Sequence, residues 1–312
     1  MTYVLSIMAL MSNLLSVLAK RHCRLFSVLL IALLWLLVWG ATDNADYRNY
    51  KMKYEMISES GYVNEFHVFS EFGFAFLMKI ASLMSLNYSG FLFVVSFVAL
   101  LLIDSTVVRY CKNTNYVYLL YFVFPFFLNA VQIRNFLAMS LLVFSIRYIV
   151  DDYKLKKIRF LVLILFASLI HVSFVVYAPL VFITMKKRKT LIGLLVVISI
   201  SLSAVLVVSG NSLTQLGLFL SDATGQEKVA LWLSTRTRFG FVVSWLTQIT
   251  IFALAVFSRN VWLQSDLGTG KHEFSGKTIF GKEKRFIEVV FWIDLYAFVF
   301  FPLYVSASTF DR

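Results

Sequence analysis

From Tyr88 to Val108 the chain runs through a stretch whose only charged residue is Asp104. About 20 mostly apolar residues are what an α-helix needs to cross the hydrocarbon core of a bilayer. Further apolar runs recur at 3–19, 25–39, 116–131, 135–150, 190–209, 239–257 and 286–307. Composition agrees: 60% of the residues are hydrophobic and 15% charged, against about 45–50% and about 25% in soluble domains. A water-soluble fold, a disordered chain and a collagen-like chain are excluded. A transmembrane barrel is excluded too, because it alternates apolar and polar residues in segments of about ten. The expected fold class is all-α, a polytopic integral membrane helical bundle of about 8–10 transmembrane helices. Residues 1–312 are expected to form a single transmembrane domain with no separate soluble domain.

The chain carries 29 Lys and Arg against 17 Asp and Glu, a formal charge of +12. In a soluble protein that excess would suggest nucleic acid as a partner. Here the basic residues sit in short loops between apolar runs, which is how topology is set against a lipid bilayer, so no nucleic acid is expected. Lys20–Arg24, Arg109–Lys112, Lys154–Arg159, Lys186–Lys189 and Ser258–Arg285 are assigned to the cytoplasm. Residues 41–70, the Asn129–Arg134 turn, residues 210–238 and both termini then face outward. The first run has no basic start and no small-residue cleavage site, so a cleaved signal peptide is not expected. Two segments break the parity of this scheme. Residues 71–86 look like a short span but carry Lys79, costly at bilayer depth, and are read as an amphipathic or re-entrant helix on the outer face. Residues 159–184 lie between two basic clusters, so a hairpin bending near His171–Ser173 is expected. Pro125, Pro179 and Pro302 each lie within or beside an apolar run and are expected to kink helices. Cys23 and Cys111 make neither a metal nor a disulfide framework.

Gly-rich phosphate loops and the HExxH, CxxC and GxSxG motifs are absent, which leaves polar residues at the outer face as candidates. Asp43, Asp46, Tyr47, Tyr50 and Tyr54 follow the second apolar run. Aromatic faces stack on sugar rings and carboxylates take hydroxyl protons, although an interfacial aromatic belt has the same composition. Arg134 opens an apolar helix on the side where positive-inside sorting gives no reason for a cation. Its planar fork of donors matches a phosphate or diphosphate; the alternative is an arginine snorkelling to headgroups. Arg147, at the other end of that helix beside Asp151 and Asp152, is read as snorkelling. His171, within an apolar hairpin, is either a proton acceptor or ligand for a hydroxyl, or a satisfied core histidine. Asp104 is read as structural, near Arg109, and Asp294 has no assigned role. Arg236 and Arg238 form a second oxyanion clamp or an interface anchor. Residues 210–235 are compatible with an amphipathic helix.

Four motifs in this order resemble the EpsG-like branch of the Wzy-type polysaccharide polymerases. ADYRNY (Ala45–Tyr50) is similar to the family's Asp-Tyr-x-x-Tyr after the second span. EFGF (Glu71–Phe74) is similar to its Glu-Pro-Gly-aromatic entry, with Phe72 in place of proline. IRNFLA (Ile133–Ala138) is similar to Ile-Arg-Gln-x-x-Ala, with Asn135 in place of glutamine. SLIHVSF (Ser168–Phe174) is similar to an apolar-His-x-Ser stretch. Agreement in order and spacing runs to about residue 185 and is looser after 190. The chain stops at Phe310-Asp311-Arg312, where family members typically continue into more hydrophobic sequence; a shorter or truncated member is expected.

The resemblance implies an enzyme of the bacterial inner membrane. It would join undecaprenyl-diphosphate-linked oligosaccharide repeat units on the outer side, in the synthesis of O-antigen, capsule or exopolysaccharide. The reaction implied is glycosyl transfer, with a chain-length regulator and a flippase as possible partners. Arg134 would clamp the diphosphate, and His171, or a carboxylate such as Asp46 or Glu71, would accept the acceptor proton. Asp43, Tyr47, Tyr50, Glu71, Asn135, Arg236 and Arg238 would bind substrate. No cofactor is expected, neither metal nor nucleotide, since the donor itself carries the energy. Two competing readings are a lipid-linked sugar transporter or flippase and a membrane O-acyltransferase. A transporter would line a central path with charge from both faces, whereas here the unexplained polar residues gather on one.

Overall fold

The computed structural model describes residues 2–19, 23–42, 44–59, 72–151, 153–184, 188–208, 218, 221–222, 240–268 and 279–300. Asp43, Glu71, Arg236, Arg238, Pro302, most of Lys20–Arg24, most of 210–238 and the C-terminus lie outside them. The fold is all-α, and no strand occurs among the described residues. The chain divides into two compact units, Met1–Ala178 and Pro179–Arg312.

The first unit contains α1 (Thr2–Leu18), α2 (Arg24–Trp39), α3 (Ala45–Glu59), α4 (Phe72–Leu83), α5 (Tyr88–Tyr110), α6 (Thr114–Val123), α7 (Phe126–Val131), α8 (Ile133–Val150) and α9 (Lys156–Ile170). A 3-10 helix, Val172–Thr184, follows His171. Among the described residues α5 and α8 are the helices long and apolar enough to cross a bilayer. Helix α5 shows why water is not its surroundings. Phe91, Leu92, Val95, Ala99 and Leu100 are buried, yet the opposite face exposes Phe93, Val94, Phe97, Val98 and Leu101. A helix at a water-facing surface would carry polar residues on that second face.

Helix α5 packs on α2, α3, α6 and α8, while α8 packs also on α7 and α9, and α9 on α4. The run 116–131, read as one span, is interrupted at Phe124-Pro125 into α6 and α7. Proline lacks the N–H and clashes with the preceding turn, so the helix stops there. In 159–184, where a hairpin bending near His171–Ser173 was expected, the helix breaks at His171, whose backbone is extended (φ −145°, ψ 109°), and a 3-10 helix follows. Of residues 41–70, expected to face outward, Ala45–Glu59 form α3. Asn44 caps it, its Oδ1 accepting the Tyr47 N–H at 2.7 Å. Tyr47, Tyr50, Tyr54 and Ile57 then recur at helical spacing on one face. Lys79, costly if left in lipid, donates from Nζ to the Ile57 carbonyl in the last turn of α3 at 3.0 Å. A cation there satisfies a carbonyl and complements the helix dipole.

The end of the unit that carries the basic loops is tied by polar side chains. Asp104, expected beside Arg109, instead takes Arg24 Nη2 on both oxygens (3.0 and 2.9 Å) and the Tyr118 hydroxyl. Five residues along a helix is about 140° around it, so Asp104 and Arg109 point to different neighbours. Arg109 pairs with Asp151 and donates to Tyr153 Oη at 2.8 Å. Asp151 is therefore taken, and Arg147, expected to sit beside it, turns to Ser105 Oγ (3.3 Å) and lies 3.8 Å over the Phe144 ring. Buried Asn13 donates to the Phe26 carbonyl at 2.8 Å and accepts from Asn115 at 2.9 Å. Ser27 and Thr114 share a hydrogen bond of 2.6 Å. Such polar pairs join apolar helices where lipid offers no hydrophobic drive for association.

In the second unit, α10 (Arg188–Val208) is followed by α11 (Gly240–Gly268), α12 (Ile279–Ala297) and a short 3-10 turn, Phe298–Phe300. Ser258–Arg285 was expected as a loop, but α11 continues to Gly268 and α12 starts at Ile279. With no proline to stop it, α11 runs past its apolar part, and Arg259 meets Glu288 of α12 at 2.8 Å. Asp294 keeps one carboxylate oxygen buried with no hydrogen-bond partner among the described residues.

Candidate functional site

Three elements that are not neighbours in sequence bring their polar residues together at the end of the first unit opposite the basic loops. The first is α3, whose opening turns carry Asp46, Tyr47 and Tyr50. The second is the start of α8, with Arg134. The third is the end of α9, where the helix gives out at His171.

Helix α3 is anchored by its tyrosine face. Tyr54 is buried and donates its hydroxyl to the Leu86 carbonyl at 2.6 Å. Its hydroxyl thereby pins α3 to the chain just before α5. Tyr47 packs on Tyr88 with ring centroids 5.1 Å apart, and Tyr50 meets Phe74 of α4 edge-on at 5.5 Å. Tyr50 is the hinge of the site. The Arg134 guanidinium lies 5.7 Å from its ring centroid, and Lys53 Nζ lies at the same distance. Cations are held over an aromatic face by its quadrupole. Burial pushes the Tyr50 phenol above its ordinary range, with the Arg134 cation pulling it back and Asp46 adding to the rise. At neutral pH the phenol is therefore protonated and can donate.

Arg134 is half-buried in the first turn of α8. Gln132 precedes it, and Asn135 donates to Gln132 Oε1 at 3.3 Å. Asn135 is thus engaged in shaping the helix start beside Arg134. Arg134 interacts electrostatically with Tyr50 and Asp46, and with His171. The His171 ring also stands 5.9 Å from that of Phe174. His171 is brought here by α9, which packs on α8 along its length and on α4. The α4–α9 approach depends on Gly73 of EFGF. A Cβ there would sit 2.7 Å from both the carbonyl carbon and oxygen of Leu169.

Of the residues expected to act, the structure therefore gathers Asp46, Tyr47, Tyr50, Arg134 and His171, with Asn135 alongside. Asp43, Glu71, Arg236 and Arg238 lie outside the described residues. Tyr88, the first residue of α5 and not among the expected residues, has its ring against Tyr47 and Tyr54. At the head of an apolar run it reads as an interfacial tyrosine, and nothing local marks it otherwise.

The cluster pairs one delocalised cation with a carboxylate, an imidazole and phenols, on a wall of aromatic rings. Such a set can hold an anion and a hydroxyl-rich group side by side and accept a proton. No curated protein and no solved structure matches the chain. A family model described as the EpsG family matches residues 23–312, through both units and every candidate residue. The match thus continues beyond residue 190, where the motifs alone agree only loosely. It brings with it residence in a membrane and a polymerase-like part in polysaccharide biosynthesis. The chain belongs to the EpsG family, a family of Wzy-type polymerases.

Proposed function

We propose that this protein joins undecaprenyl-diphosphate-linked oligosaccharide repeat units at the outer face of the bacterial cytoplasmic membrane, as a multi-pass enzyme. The observation that carries the reading is the convergence of Arg134 with Tyr50, Asp46 and His171 from three separate elements. An acceptor hydroxyl oxygen forms a bond to the anomeric carbon of the donor. The bond from that carbon to the lipid diphosphate breaks, and the diphosphate leaves with the electron pair. Arg134 meets the charge on the leaving group with two parallel N–H donors. The proton of the acceptor hydroxyl passes to His171 or to the Asp46 carboxylate, both of which interact with Arg134. Tyr47 and Tyr50 offer their ring faces and phenols to the sugar. Diphosphate is a good leaving group, so orientation and charge stabilisation are the main demands on the protein.

The same layout supports an outward-facing site. Arg134 and Arg147 stand about 20 Å apart along α8 at 1.5 Å per residue. The Arg147 end lies with the basic loops that positive-inside sorting assigns to the cytoplasm, so the cluster faces outward, where polymer is assembled.

Deletion of the gene tests the reading. The expected result is loss of the long glycan ladder with the single-repeat band retained. The wild-type gene restores the ladder, and Arg134→Ala at equal membrane level does not. An unchanged ladder in the deletion strain overturns the reading. Loss of the single-repeat band together with the ladder points to a transporter instead.

A further inference from the structure

Tyr88 is the group in this region whose chemistry the proposed reaction leaves unused. It is only 4% exposed, at the junction of α3 and α5. Its ring packs at 5.1 Å on Tyr47, 5.7 Å on Tyr54 and 6.2 Å on Phe91. Its hydroxyl is buried and meets no hydrogen-bond partner among the described residues. The contrast with its neighbour is sharp, since Tyr54 in the same aromatic cluster spends its hydroxyl on the Leu86 carbonyl. A buried hydroxyl with nothing to bond is disfavoured, and such groups in native proteins concentrate where a function needs them.

The direction in which that hydroxyl looks is given by its surroundings. It lies within electrostatic reach of Asp46, Tyr47 and Tyr50, the three residues that α3 contributes to the site. Asp46 and Tyr50 are thus within electrostatic reach of both Arg134 and Tyr88. A sugar hydroxyl fits beside Tyr88, because it can donate to Asp46 while accepting from Tyr88.

We infer that Tyr88 is a substrate-binding residue that hydrogen-bonds a hydroxyl of the saccharide on the Asp46 side of the site. The inference rests on the polymerase reading and deepens it. The hydroxyl, which meets no partner among the described residues, gains one in the complex.

Tyr88→Phe removes the hydroxyl and leaves the ring packing in place. A purely structural tyrosine with an unpaired buried hydroxyl predicts an unchanged or higher melting temperature and unchanged activity. A substrate-binding tyrosine predicts the same stability with a defect in activity. The assay uses membranes carrying the full chain and lipid-linked repeat units extracted from the deletion strain. The expected result for Tyr88→Phe is an apparent KM raised about 3- to 10-fold, the range for one lost hydrogen bond, with kcat changed less. Membrane level and melting temperature stay at or above wild type. Tyr88→Leu, which also deletes the ring, is expected to lower the melting temperature. Wild-type kinetics in Tyr88→Phe, or a fall in its stability, overturns the inference. If Arg134→Ala abolishes the ladder while Tyr88→Phe is normal, this inference alone falls. If the deletion strain keeps its ladder, the polymerase reading falls and takes Tyr88 with it.

Discussion

The Arg134 guanidinium lies 5.7 Å from the centroid of the Tyr50 phenol ring, at the end of α8 away from the basic loops. A guanidinium there can meet two oxygens of a diphosphate at once, and a lysine keeps the charge but loses the fork. Removing a charged hydrogen-bonding partner from a desolvated anion costs about 2–5 kcal/mol, or roughly 30- to several-thousand-fold in rate if it acts in the transition state. Arg134→Ala is therefore expected to abolish polymerisation, and Arg134→Lys to shorten the ladder clearly, both at normal membrane level. A snorkelling arginine predicts a wild-type ladder from the lysine variant, so that result would refute the clamp. His171 and Asp46 compete for the proton, and isosteric amides separate them. If His171 is the base, His171→Gln loses the ladder as fully as His171→Ala does, because an amide cannot take a proton at neutral pH. Asp46→Asn then keeps part of it. The reverse order of severity assigns the proton to Asp46.

At the scale of elements, the site depends on how closely α4 approaches α9. Gly73 sits against the backbone of Leu169, two residues before His171, and backbone cannot give way as a flexible side-chain tip can. Gly73→Ala must push α4 off the last turn of α9. It disturbs the burial of Phe74, Ala75 and Met78 and the placement of His171 together. Overpacking of this kind costs about 1–3 kcal/mol. A lower melting temperature in detergent and a shortened ladder are expected together. Wild-type values of both would show that the helices part without consequence. Helix α3 makes a different point. Its polar composition hides it among loop residues, although the Asn44 cap and the 47–50–54–57 spacing were present to be read. The two basic clusters around 159–184 point to a hairpin bending near His171–Ser173, and at that place the structure breaks the helix.

For the molecule as a whole, the proposed function requires that the Asp46–Arg134 cluster and the Arg109–Asp151 pair lie on opposite sides of the membrane. Arg48 on α3 and Lys154 before α9 are both exposed and report on the two ends. In a background with Cys23 and Cys111 changed to serine, Arg48→Cys is expected to react with an impermeant thiol reagent in intact spheroplasts. Lys154→Cys is expected to react only after the membrane is opened. Labelling of Lys154→Cys in sealed cells would invert the topology and remove the outward-facing site with it.

Membrane character, the all-α class and the positions of most helices follow from apolar run length and from where lysine and arginine interrupt it. These are local properties, and each residue carries its share of them without reference to distant neighbours. The motifs that named the family are local as well: Asp46, Tyr50, Arg134 and His171 are all in view along the chain. Partnership is another matter. Asp104 chooses Arg24 over Arg109, and Asp151 chooses Arg109 over Arg147, because helix faces and helix neighbours decide which charges meet. Gly73 and Tyr88 look unremarkable in sequence for the same reason. A close approach exists only once α4 lies on α9, and a buried hydroxyl with no partner among the described residues exists only once α3 and α5 have closed around it.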